Sequence, residues 1–212
     1  MTAPRGMPPG RAGRLWLLGR LRTAERAAEL LDRKLTILRS DRRRYQLLAE
    51  QSGAAWEQRC ADAETWLVRG VMLGGQRALR LAIPDALAEI RVAWASTMGL
   101  RYPFDASYTF AGSPSTAATP SNAALVEAVS AHRSALEAAV QHAVVQAALR
   151  TVTREIAVTA RRRRAIADRW IPTLTEALRD IDLALEELEH SDAVRLRWAA
   201  RRDRTATRPE AS

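Results

Sequence analysis

One cysteine, Cys60, is all the chain offers for disulfide chemistry, so no internal disulfide can close, and the solitary thiol fits a reducing cytoplasm. The three histidines, His132, His142 and His190, lack metal-ligand spacing, and with no cysteine cluster beside them neither a metal site nor a cofactor is expected. Lysine is scarcer still: Lys34 stands alone among 33 basic residues, and it follows Arg33 instead of a glycine, which rules out a phosphate-cradling loop. There is no Gly-x-Ser-x-Gly elbow to carry a nucleophile. No apolar run reaches the ~20 residues a helix needs to cross a bilayer, because arginine or an acid interrupts each one. Residues 1–13 hold proline, glycine and arginine but lack the apolar centre of an export signal. A non-catalytic cytoplasmic chain is the expectation.

What the chain has in quantity is alanine, leucine and arginine, which lose little freedom in a helix. With 47% hydrophobic content it can bury a substantial core, and all-α is the fold class expected. The positions Leu17, Leu21, Ala24, Ala28, Leu31, Leu35, Leu38, Arg42, Tyr45 and Ala49 alternate steps of four and three, a heptad seam in which only Arg42 is strongly polar. A helix is read over residues 14–75, weakened at its end by Gly70, Gly74 and Gly75. Residues 76–122 read as a small middle region. Ile90, Val92 and Trp94 alternate with Arg91 and Ala93 before Met98-Gly99, which marks a short hairpin within 88–104, and 105–122 read as a Ser/Thr/Pro-rich loop. Ser121 or Asn122 then offers an N-cap for a second long helix over 123–200. Its seam resumes through Ala167, Trp170, Leu174, Ala177, Ile181, Ala184, Leu188 and Ser191, and Pro172 should bend it slightly. Residues 1–13 and 201–212 read as flexible ends.

The net charge of +9 is uneven: residues 1–52 hold 12 basic and 5 acidic side chains, 53–122 hold 6 and 6, and 123–212 hold 15 and 13. That basic first helix is compatible with nucleic acid, an acidic protein surface or lipid headgroups, and composition does not choose among them. The C-terminal helix is banded, with 7 basic and 2 acidic residues over 150–169, 1 and 7 over 170–192, and 6 and 2 over 193–212. Neither terminal helix can bury its stripe alone. Antiparallel pairing that sets residues near 15 against residues near 197 brings Glu176, Asp180, Asp182, Glu186, Glu187 and Glu189 beside Arg20, Arg22, Arg26, Arg33 and Lys34. Each exposed pair contributes only roughly 0.2–1 kcal/mol, so the charges specify orientation and the apolar seam supplies stability. About 40 residues of such a pair span roughly 60 Å, a rod suited to transmitting force or spacing partners.

Read together, the two ends resemble the D subunit of the V-type and A-type rotary ATPases. Pro9, Arg11, Leu17, Arg20, Leu21, Ala24, Arg26, Leu30, Leu31, Lys34 and Leu38 sit where that family has its Pro-Thr-Arg opening, its Leu-Lys-x-Arg-Leu segment, its Ala-x-Arg-Gly-His step and its Leu-Leu-Lys-x-Lys-Arg-Asp run. Gly10 replaces the threonine, Ala27-Ala28 replace Gly-His, and Leu35-Thr36 replace Arg-Asp. Farther on, Thr159, Arg161, Arg162, Ala165, Ile166, Ile171, Pro172 and Leu174 match the Thr-x-Arg-Arg-Val-Asn-Ala-Leu-Glu-x-x-x-Ile-Pro-x-Leu signature, with Arg164 and Ala167 in place of its Asn and Glu. The resemblance implies a central-stalk rotor shaft that enters the hexamer of catalytic and regulatory subunits and binds the small F subunit of the stalk and the socket subunit above the membrane ring. It implies no direct nucleotide contact, and a place at the inner face of the membrane through the complex.

Several features carry a blander reading beside the sharp one. Arg42, Arg43 and Arg44, with Arg161, Arg162, Arg163 and Arg164 near them in the expected register, form a basic collar. A solvated or loosely paired collar is preferred to one that binds an acidic protein. Nucleic acid is the outside reading, since no recognition fold or set of stacking aromatics accompanies the charge. The runner-up function is accordingly a basic coiled-coil adaptor or nucleic-acid-binding protein. The six scattered tryptophans read as packing anchors, and Glu186-Glu187 as a solvated face, not an acid-base pair.

Overall fold

The computed structural model describes residues 6–83, 87–110 and 122–206. Helix α1 runs Gly10–Ala82, strands β1 and β2 occupy Glu89–Thr97 and Leu100–Thr109, helix α2 covers Ala123–Arg164, a π-helical turn follows at Ala165–Trp170, and helix α3 spans Ile171–Ala206. A long N-terminal helix packing with a long C-terminal helical run, plus a small antiparallel hairpin, is the architecture that the seam and the alternating pattern imply. The N-terminal, loop and C-terminal segments 1–5, 111–121 and 207–212, parts of the regions read as flexible, lie outside the described residues, as does Ser121 of the two candidate caps. The other candidate, Asn122, caps α2: its Oδ1 accepts the Leu125 N–H at 2.9 Å, satisfying a backbone donor the first turn leaves unpaired.

Of the three late glycines, Gly75 interrupts α1, at φ 69°, ψ 177°. That left-handed, extended conformation is essentially closed to a residue with a side chain, so α1 kinks there and resumes to Ala82. The hairpin turn uses the same freedom twice. Met98 and Gly99 both have positive φ, 53° and 76°, the two-residue turn whose twist matches that of the strands. β1 pairs antiparallel with β2 from Glu89↔Thr109 to Thr97↔Leu100, and a bulge between Ala93 and Trp94 leaves Phe104 as the extra residue beside Pro103, which has no N–H for the ladder. β2 thus continues past residue 104 to Thr109.

The chain divides into two units. One comprises residues 34–158, with α1 beyond Lys34, the hairpin and most of α2. Ala106 of β2 seats against Val140 and Val144, with Leu136 beside them, and Tyr45 meets Tyr102 edge-on at 5.9 Å. The other unit comprises the terminal segments, residues 1–33 and 159–212. Its core is Leu17, Ala24, Leu174 and Ile181, surrounded by Trp16, Leu21, Ile166, Ile171, Ala177 and Leu178.

Candidate functional site

In the terminal unit, the seam from Leu17 to Leu31 is apolar on one face because leucine and alanine recur at three- and four-residue steps, and that face meets α3. Leu17 and Leu174 are fully buried, each with 0% exposure. Ala24 and Ile181 are buried, and Leu21, Ala28, Leu31 and Ala177 are half-buried. Burying such a side chain contributes roughly 1.5–3 kcal/mol, several times an exposed ion pair, so apolar contact sets the register.

That register differs from the alignment the charge bands favour. Arg14 Nε donates to Asp182 Oδ1 at 2.7 Å, Arg11 reaches Glu189 at 3.0 Å, and Arg163 Nε reaches Asp32 at 3.1 Å. Residues near 15 therefore face residues near 181, not near 197. The expected alignment would set Leu17 against the charged stretch holding Arg195 and Arg197, whereas the observed one sets it among Leu174, Leu178 and Ile181. The acidic band consequently meets Arg11 and Arg14, while Arg20, Arg22, Arg26 and Arg33 are exposed, Arg20 lying over the Trp16 ring at 5.0 Å. Because Arg11 faces Glu189, α3 extends past the start of α1, and on that extension Leu196 and Trp198 are exposed.

The C-terminal seam also follows a different line from the one read in sequence. Trp170, Ala184 and Leu188 are exposed, and Ile171, Leu178 and Leu185 are half-buried in their stead. The π turn is the cause. Ile171 N–H bonds to the Ile166 carbonyl, five residues back, and Pro172 has no N–H to offer the Asp168 carbonyl. One extra residue is taken up there, and downstream Ile171, Leu178 and Leu185 join the inward line while Leu174, Ala177 and Ile181 stay on it as read. Pro172, itself exposed, was the sequence signal for this change of phase.

In the unit of residues 34–158, Leu35, Leu38 and Ala49 are buried and Tyr45 is half-buried. Lys34 does not join the acidic band but gives its Nζ to Glu155 Oε1 at 2.6 Å, both side chains being about three-quarters covered. The basic collar divides: Arg163 is paired with Asp32 in the terminal unit and Arg161, Arg162 and Arg164 are exposed there, while Arg42, Arg43 and Arg44 belong to the other unit. Arg42 is half-buried on the seam, its Nε enclosed and without a hydrogen-bond partner among the described residues. Tyr45 has its phenol pushed up to about 12, first by burial and then by the hydrogen bond with Tyr102.

The residue types that carry chemistry elsewhere are absorbed into packing. His142 stacks on Trp56 at 5.6 Å and its Nδ1 lies 3.0 Å from Ser52 Oγ, which is also 3.3 Å from the Ala49 carbonyl. Both bonds are made when the imidazole N–H donates to the hydroxyl and the hydroxyl donates to the carbonyl, an arrangement that leaves the serine unactivated. His132 bonds the Ala128 carbonyl at 2.8 Å in its own helix. An open groove lined by Arg59, Asp62, Trp66, Glu127 and Ser134 is shallow and polar. Among the described residues no three metal-ligating side chains are placed to share an ion, and no helix is long and apolar enough to cross a membrane.

In comparison with known proteins, a family model described as the ATP synthase D subunit matches residues 16–201. No curated protein matches the chain.

Proposed function

The chain belongs to the D-subunit family of ATP synthases, a family of stalk subunits, and from that membership we propose that it is the central rotor stalk of a V-type or A-type rotary ATPase, coupling ATP hydrolysis or synthesis to H+ or Na+ movement. The observation that best supports this reading is the terminal helix pair, with Leu17 and Leu174 sealed between its helices and exposed Leu196 and Trp198 on an α3 extension that α1 does not cover. An asymmetric shaft within a pseudo-threefold ring meets each catalytic interface differently and so holds those interfaces in different conformations. Turning the shaft exchanges their states without the shaft touching nucleotide.

The partners in this reading are the catalytic and regulatory subunits of the hexamer, the small F subunit of the stalk and the socket subunit above the membrane ring. The chain would then work on the cytoplasmic side as a peripheral part of the complex. The test is a pull-down of the tagged full chain from its native membrane extract at physiological salt. Recovery of hexamer and stalk subunits is the expected result. A chain that ignores those subunits and instead retains nucleic acid, with affinity falling steeply as salt rises, overturns the shaft in favour of the basic adaptor.

A further inference from the structure

Thr159, Arg163, Ala167, Ile171, Leu174, Leu178, Ile181 and Leu185 are all buried or half-buried in the terminal unit. Their steps are three fours, then a three, a four, a three and a four, one residue more than fours and threes in strict alternation, and the excess falls at the π turn. Upstream and downstream segments therefore belong to one heptad pattern interrupted by a single additional residue. Removal of one residue between Ile166 and Ile171 would leave threes and fours alternating without a break.

The turn that absorbs the residue lacks one backbone donor, although the Thr173 hydroxyl donates to the Arg169 carbonyl at 2.8 Å. Its closing bond spans five residues, from Ile171 N–H to Ile166 O, and Pro172 brings no donor to the next position. The cluster that holds Ile166 and Ile171 takes Leu17 and Ala24 from α1 as buried residues and Leu21 as a partly buried one, while Ala27 and Ala28 are small and half-buried.

We propose that the Ala165–Trp170 turn is a torsional joint, the point at which the C-terminal helix twists most readily against α1, with Leu174 and Ile181 anchoring the helix beyond it. Its use in transmitting torque rests on the shaft reading above; its softness does not. Hydrogen exchange of the full chain tests the softness. Amides over 167–175 should exchange about tenfold faster than those over 176–186, because opening a locally under-bonded turn costs less than opening the sealed helix. Deleting Ala167 together with Pro172→Ala should erase the difference, while Pro172→Ala alone, which keeps the additional residue, should preserve it. Uniform protection in the unaltered chain overturns the joint, as does loss of the difference in Pro172→Ala alone. In an assembled complex the deletion variant should narrow the angular spread of a stalled rotor in single-molecule rotation. An unchanged spread with the exchange result intact removes the joint from torque transmission.

Discussion

Arg14 donates to Asp182 at 2.7 Å, and that pair marks where the two ends of the chain lie against each other. Both side chains keep substantial exposure, so the pair reports the register more than it enforces it. Charge reversal at one partner, Arg14→Glu, should destabilise the chain by only about 0.2–1 kcal/mol in urea denaturation, and adding Asp182→Arg should recover most of the loss. A loss several times larger would mean that charge, not apolar contact, fixes the alignment.

Lys34 and Glu155 should behave differently, since water covers little of either. Lys34→Met ought to cost more than Arg14→Met, about 1–3 kcal/mol, because a half-desolvated carboxylate is left behind. A double-mutant cycle with Glu155→Gln measures the coupling, and a value near zero would contradict the pairing.

The leucine seam carries the larger energies. Leu17→Ala and Leu174→Ala, both at fully buried positions, should each cost about 2–5 kcal/mol in thermal or chemical unfolding. Leu17→Asp with Leu174→Asp should splay the terminal pair, and within a rotary complex it should uncouple ATP turnover from ion movement. Intact coupling in that variant would count heavily against the shaft.

Two glycines in α1 separate helix propensity from packing. Nothing lies within 4 Å of a Cβ built on Gly19, so Gly19→Ala should stabilise by roughly 0.5–1 kcal/mol. A Cβ on Gly70 would lie 2.7 Å from Leu125 Cδ2 and 3.3 Å from the Leu125 backbone nitrogen, so Gly70→Ala should destabilise by about 1–3 kcal/mol. Leu125→Ala in the Gly70→Ala background should show less than its ordinary cost, because the clash is relieved; strict additivity would argue against the contact.

Tyr45 gives a pH signature. Its phenol is raised from 10.0 to about 12, so the unfolded chain loses that proton first as pH rises. The stability tied to the neutral phenol is therefore complete below pH 10 and is lost between 10 and about 12. The melting temperature of the unaltered chain should fall more steeply across that window than that of Tyr45→Phe, and parallel curves would refute the assignment.

How far the molecule was legible in its sequence depends on how local the signal was. The α1 seam is visible because three- and four-residue steps put Leu17, Ala24, Leu35 and Leu38 on one face whatever the partner. The Met98-Gly99 turn is visible because Gly99 follows the alternating Ile90, Val92 and Trp94, although nothing in the sequence marks Met98 as the other left-handed position. Ser52 with His142 was not legible, since 90 residues separate them and only the antiparallel register brings them together. The line of the C-terminal seam was half legible: Leu174, Ala177 and Ile181 lie inward as read, and Pro172 signalled a disturbance, but its form is a π turn instead of a bend, and Ile171 and Leu185 lie inward where Trp170 and Ala184 were expected.

The sequence alone determined the helical class, the paired terminal stripes, the hairpin and the family resemblance, because each rests on spacing within one segment or on residues matched in order. Only tertiary structure decided which residues face each other. Antiparallel helices admit several alignments that satisfy charge banding almost equally. The choice among them falls to the close packing of particular large side chains, Leu17 among Leu174, Leu178 and Ile181, whose energy exceeds that of the exposed ion pairs and appears only when both helices are in place.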